Sequence, residues 1–120
     1  MSYAQPVLIA PDNNASIGNL TRFEWSWDGS LGTDEWFDVR VWREREAALG
    51  VGWTKDPWYD FDPKSKDDDN YLWTIVVIRG QNGQWMADLS DPATPRQLNI
   101  SGGNGGSDSE NDSSPGPILP

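Results

Sequence analysis

Tyr71-Leu72-Trp73-Thr74-Ile75-Val76-Val77-Ile78 is the most apolar stretch of the chain, rich in β-branched and aromatic side chains. Apolar residues at both parities, with no polar face, are the mark of a central strand covered on both sides. Just beyond it, Asn82-Gly83 has the composition of a tight hairpin turn. The chain is therefore expected to return as a strand over Gln84 to Leu89. The Pro-containing stretch Ser90 to Pro95 then leads into a last short strand at Arg96 to Ile100.

Upstream of the central strand the pattern changes to strict alternation. Between Thr21 and Trp27, Phe23, Trp25 and Trp27 share one face, and Arg22, Glu24 and Ser26 share the other. Period two is the spacing of a half-buried strand. Between Glu35 and Arg43, Phe37, Val39 and Val41 form an apolar face. Trp36, Asp38, Arg40 and Trp42 form an opposite face expected to be wet. Glu44 to Leu49 is too short for an independent helix and reads as a hairpin connection into Gly50-Val51-Gly52-Trp53-Thr54. Residues 55–70 read as a polar loop with a short strand at Trp58, Tyr59 and Phe61. Pro6 and Pro11 bracket a first strand, because proline is tolerated at strand starts and on edges. Asp12 to Ser16 reads as a turn.

These elements predict an all-β, antiparallel sandwich of about seven strands over residues 1–100. Its expected core is Phe23, Trp25, Phe37, Val39, Val41, Tyr71, Trp73, Ile75 and Val77. From residue 101 to 120 the composition is dominated by Gly, Ser, Asn, Asp and Pro, with three acids and no base. Such a segment has nothing with which to form a core and is expected to be a disordered tail or linker.

Composition narrows the chemistry. The chain of 120 residues has eight Trp, no Cys and no His, and 19 acidic against 9 basic residues, for a net charge of −10. Without Cys there is no disulfide framework or thiolate zinc site. Without His there is no Ser–His triad and no imidazole metal ligand. The negative charge opposes nucleic acid and anionic membrane surfaces, both of which need clustered Lys and Arg. The start of the chain lacks a basic segment, and its apolar stretch is cut by Pro6 and Pro11, so it does not read as a signal peptide. An intracellular protein and a processed piece of an exported one both remain open.

The order of strands and aromatics resembles a fibronectin type III domain, and more loosely other immunoglobulin-like folds. The resemblance covers roughly residues 5–100. It rests on the proline-flanked first strand, on Trp25, on the Phe37-Val39-Val41 triplet, and on Tyr71 opening the long apolar strand. It implies that the Tyr71 hydroxyl bonds nearby backbone as a corner. Two features depart from the family: Asp67-Asp68-Asp69-Asn70 replaces the usual approach to that tyrosine, and Arg-Gly-Asp is absent. The resemblance implies a domain of a larger surface or exported protein, acting as a spacer or interaction module.

Candidate sites follow from the outer aromatics. Trp36, Arg40 and Trp42, with Trp53 across the hairpin, could form a contact patch for a protein or a polysaccharide. In the structural alternative, Arg40, Arg43 and Arg79 lie over these indoles as ordinary sheet cover. Asp60-x-Asp62 and Asp67-Asp68-Asp69-Asn70 carry oxygens that suit calcium, but a solvated acidic loop is the expected reading. No metal ligand set, no cofactor and no catalytic group is expected, since a thin sandwich offers no cleft for a carboxylate pair. The expected function is a non-catalytic protein-interaction or spacer module. Carbohydrate binding through exposed Trp and self-assembly through an edge strand are the alternatives.

Overall fold

A computed structural model describes residues 3–101; the expected tail at 101–120 lies outside them apart from Ser101. The described residues form strands β1 (Val7–Ala10), β2 (Ala15–Ile17), β3 (Thr21–Ser26), β4 (Glu35–Arg43), β5 (Gly50–Thr54), β6 (Trp58–Phe61), β7 (Asp69–Gln81), β8 (Gln84–Asp88) and β9 (Arg96–Ile100). One turn of 3-10 helix spans Pro63–Ser65. A three-stranded sheet has the order β1-β3-β6, and a six-stranded sheet the order β2-β9-β7-β4-β5, with β8 paired to β7. All pairs are antiparallel except β2 with β9.

The alternation read in the sequence sets the packing. Phe23 and Trp25 from β3, Phe37, Val39 and Val41 from β4, and Tyr71, Trp73, Ile75 and Val77 from β7 all enter one core between the sheets. Leu8, Phe61, Leu98 and Ile100 join them from the remaining strands. Phe23 meets Trp73 with ring centroids 4.4 Å apart, and Trp25 meets Phe37 edge-on at 5.4 Å. Each such side chain contributes roughly 1.5–3 kcal/mol by leaving water. That supply, with no disulfide, must offset the chain entropy of folding.

Three local expectations change. Asp12 to Ser16 is only partly a turn, because β2 begins at Ala15 and pairs with β9. Asn14, held at φ 68°, turns the chain so that its N–H donates to the Gln97 carbonyl and this parallel pairing can start. In the 55–70 segment the short strand expected at Trp58 to Phe61 forms as β6, but β7 begins at Asp69 rather than at Tyr71. The strands therefore number nine among the described residues rather than about seven. Short pairings such as β2 are specified by partners distant in sequence, which local pattern does not show.

The Asn82-Gly83 hairpin is as expected, with φ 54° and 76° at its two central residues. Positive φ at both positions is the type I′ geometry that follows the twist of the flanking strands. Beyond β8 the chain stays on the same edge of β7. Leu89 and Ser90 N–H groups donate to the Val77 carbonyl, and the Ala93 N–H donates to the Ile75 carbonyl. The Ser90 hydroxyl accepts from the Val77 N–H, and the Thr74 hydroxyl donates to the Ala93 carbonyl. This irregular segment fills the gap between β8 and β9, so β7 has a neighbour along its whole length.

Arg96 ties the two sheets together. Its guanidinium donates to the backbone carbonyls of Leu8, Ile9 and Pro11 at 2.8–2.9 Å. The Tyr71 hydroxyl donates to the Asp67 carbonyl at 2.8 Å, the bond to nearby backbone that the resemblance implied.

Candidate functional site

The outer face of β4 is less wet than its polar residues led one to expect, while β7 is covered on both faces as its apolar run predicts. Thr74, Val76 and Ile78 point away from the main core yet are buried, and Asp38 is only 5% exposed. They are covered by aromatics and an ion network. The ring of Trp53 of β5 packs against Gly80, where an added Cβ would stand 2.5 Å from it. Only glycine permits that approach. Trp36 donates its indole N–H to the Gly80 carbonyl and meets Trp53 at 5.9 Å between centroids. Trp36, Trp53 and Gly80 thus form one layer over the far end of β7.

Beside them runs a chain of charges. The Arg40 Nε donates to Asp38 Oδ2 at 2.9 Å, and its Nη2 donates to Asp88 Oδ1 at 2.7 Å. Trp85 of β8 donates its indole N–H to the same Asp88 oxygen at 2.9 Å. Asp38 Oδ1 has no partner in the structure and is shut away from solvent. Burial raises the Asp38 carboxyl above its ordinary range, against the lowering pull of Arg40. For Asp88 burial also raises, but hydrogen bonds from Arg40 and Trp85 outweigh it and hold the carboxyl below its ordinary range. One guanidinium thus serves two carboxylates of opposite displacement.

Asp38, Arg40, Gly50, Gly52, Trp53 and Trp85 line an open concavity of about 620 Å³ on this face. Of the four residues expected to make a patch, Trp36, Arg40 and Trp53 are brought together. Trp42 is not among them. It stands opposite Leu72 farther along β4 and lines a second concavity with Glu46 and Tyr71.

The expected cover of the indoles by Arg40, Arg43 and Arg79 is corrected. Lys55 Nζ lies 4.1 Å from the Trp36 ring centroid, and Arg22 lies 4.0 Å from that of Trp58. Arg40 is held instead by the two carboxylates. Arg43 pairs with Asp67 at 2.6 Å. Arg43 and Arg45 reach Asp69 at 3.5 and 3.0 Å. These arginines draw the acidic run against β4, and no group of three or more ligating side chains placed to hold a metal ion occurs among the described residues.

Sequence reasoning missed Trp85. It was read only as part of the returning strand, yet it is 55% exposed and pinned at its nitrogen. The signal was present: a hairpin strand with Trp85 and Asp88 three residues apart. What made it a site is Arg40, brought from 48 residues away.

On the three-stranded sheet, Val7 and Ile9 of β1 are exposed. The carbonyls of Leu8, Ile9 and Pro11 accept from Arg96.

No family model, no curated protein and no solved structure matches this chain.

Proposed function

We propose that the chain is a fibronectin type III-like, non-catalytic interaction module of a larger surface or exported assembly. Its contact surface is the outer face of the six-stranded sheet around Trp85. Support for the family reading comes from strand order. Taking β1, β3 and β6 as A, B and E, and β4, β7 and β9 as C, F and G, the sheets follow the immunoglobulin-like division, with β5 added beside C. The Tyr71 corner at the start of β7 points the same way.

The observation that carries the binding reading is Trp85. A large indole, 55% exposed, is fixed by a hydrogen bond to a carboxylate that is itself fixed by Arg40. Aromatic anchors held rigid before contact lose little entropy on binding, and Trp is favoured at interface hot spots. The test is an array of peptides and neutral oligosaccharides probed with the protein and with Trp85→Ala. Saturable binding that the variant loses supports the module, and blank arrays overturn it.

A second reading, self-assembly through β1, rests on exposed Val7 and Ile9. Arg96 opposes it, because its guanidinium already occupies the carbonyls of Leu8 and Ile9 in β1 and of Pro11 just beyond it. Light scattering across a wide concentration range should give a constant monomer mass. A rise that disappears on deleting residues 1–11 would make assembly the function.

A further inference from the structure

The exposed indoles of this protein are not treated alike. Trp58 is 37% exposed, and Arg22 lies over it at 4.0 Å. Trp36 has Lys55 over it at 4.1 Å. Trp85 is the most exposed tryptophan of the described residues, and neither cation–π contact found among them falls on it. Its nitrogen is committed to Asp88, which restrains the ring, and 55% of the residue is exposed.

Negative charge stands beside that ring. Asp38 and Asp88 share the single guanidinium of Arg40, which leaves one surplus negative charge when both are ionised. Asp88 keeps 41% of its side chain exposed. Among the described residues its Oδ2 accepts only from Arg40 Nη1 at 3.4 Å, so it retains lone-pair capacity for another donor. An exposed indole next to a carboxylate with spare acceptor capacity is complementary to a guanidinium or ammonium group: the ring attracts the cation and the oxygen accepts its hydrogen bond. The whole chain, at −10, adds a long-range field of the same sign. The chain's own C-terminal stretch is an unsuitable occupant, because residues 101–120 contain no Lys or Arg.

We infer that Trp85 and Asp88 form a docking site for an arginine- or lysine-bearing peptide segment of a partner protein, the basic side chain lying over the indole as Arg22 lies over Trp58 within this chain. This rests on the binding-module reading and names the chemistry of its partner. A neutral glycan, stacking on the same ring without a charge, is the competing occupant.

The experiment is a tryptophan-fluorescence titration of the full chain with acetylated tetra-arginine amide, acetylated tetra-glycine amide and a neutral tetrasaccharide. Saturable binding of tetra-arginine is expected, weakened about ten-fold or more in Trp85→Ala. It should also weaken as salt rises from about 50 to about 500 mM. Trp58→Ala serves as a control and should bind as the parent does. Because Trp85→Ala keeps the net charge, unchanged binding in that variant would mean bulk attraction and overturn the site. Trp85-dependent binding of the tetrasaccharide, with none of tetra-arginine, overturns the cationic partner but leaves the binding module standing. If no probe binds and the array is also blank, both fail. Far-UV circular dichroism of each variant guards against unfolding.

Discussion

The inner and outer faces of β7 are both buried, but by different means. Inward, Tyr71, Trp73, Ile75 and Val77 meet the second sheet, and ring packs on ring. Outward, Thr74, Val76 and Ile78 are shielded on a sheet face that carries Trp36, Trp53 and the Asp38–Arg40–Asp88 chain. The inner face is a hydrophobic core of aromatic and β-branched side chains. The outer face is a thin lid of indoles and ion pairs, whose margin at Trp85 stays open. Stability should reside mainly in the first and binding in the second.

The sharpest break of that comparison is Trp73→Ala, which empties the centre of the core. It should cost about 3–5 kcal/mol, read as a lower urea midpoint by circular dichroism. A loss below about 1 kcal/mol would mean that the inner face is not the main source of stability. Arg40→Ala comes next. It leaves Asp38 buried without its only ion pair and should cost roughly 3 kcal/mol. Tyr71→Phe removes the corner hydrogen bond while keeping the ring, and should cost about 1 kcal/mol in the same assay.

The two carboxylates give a subtler test, because their linkage signs differ. The raised carboxyl of Asp38 binds its proton more tightly in the folded state. Its contribution is present at low pH and is lost as pH rises through its folded value. The destabilisation from Asp38→Asn should therefore shrink as pH rises from about 4, the ordinary carboxylate value. The lowered carboxyl of Asp88 contributes above the ordinary value and loses this as pH falls through its folded value. The destabilisation from Asp88→Asn should therefore be larger at about pH 6 than at about pH 3. Urea melts at several pH values read both slopes, and slopes of the same sign would refute this division of roles. The smallest expected effect is Trp85→Ala on stability, within about 0.5 kcal/mol, because the ring covers little of the core. A larger loss would make Trp85 part of the lid.

The all-β class, both hairpins and the inner faces of β3, β4 and β7 were legible in the sequence. The reason is local: period-two alternation in β3 and β4, and the unbroken apolar run in β7, commit each side chain to a face wherever the strand pairs. The patch was legible in part. Trp36 and Arg40 share a face by parity, and Trp53 follows across one hairpin. The rest depended on contacts that strand alternation does not encode. Which cation covers which indole, the pinning of Trp85 by an aspartate that Arg40 holds from β4, and the bridging of the sheets by Arg96 arise only once distant strands lie side by side. The sequence alone determined which side chains face inward, because that is a property of one strand. The tertiary structure decided which polar and aromatic groups meet outside, because long side chains reach across neighbours that only the folded sheet supplies.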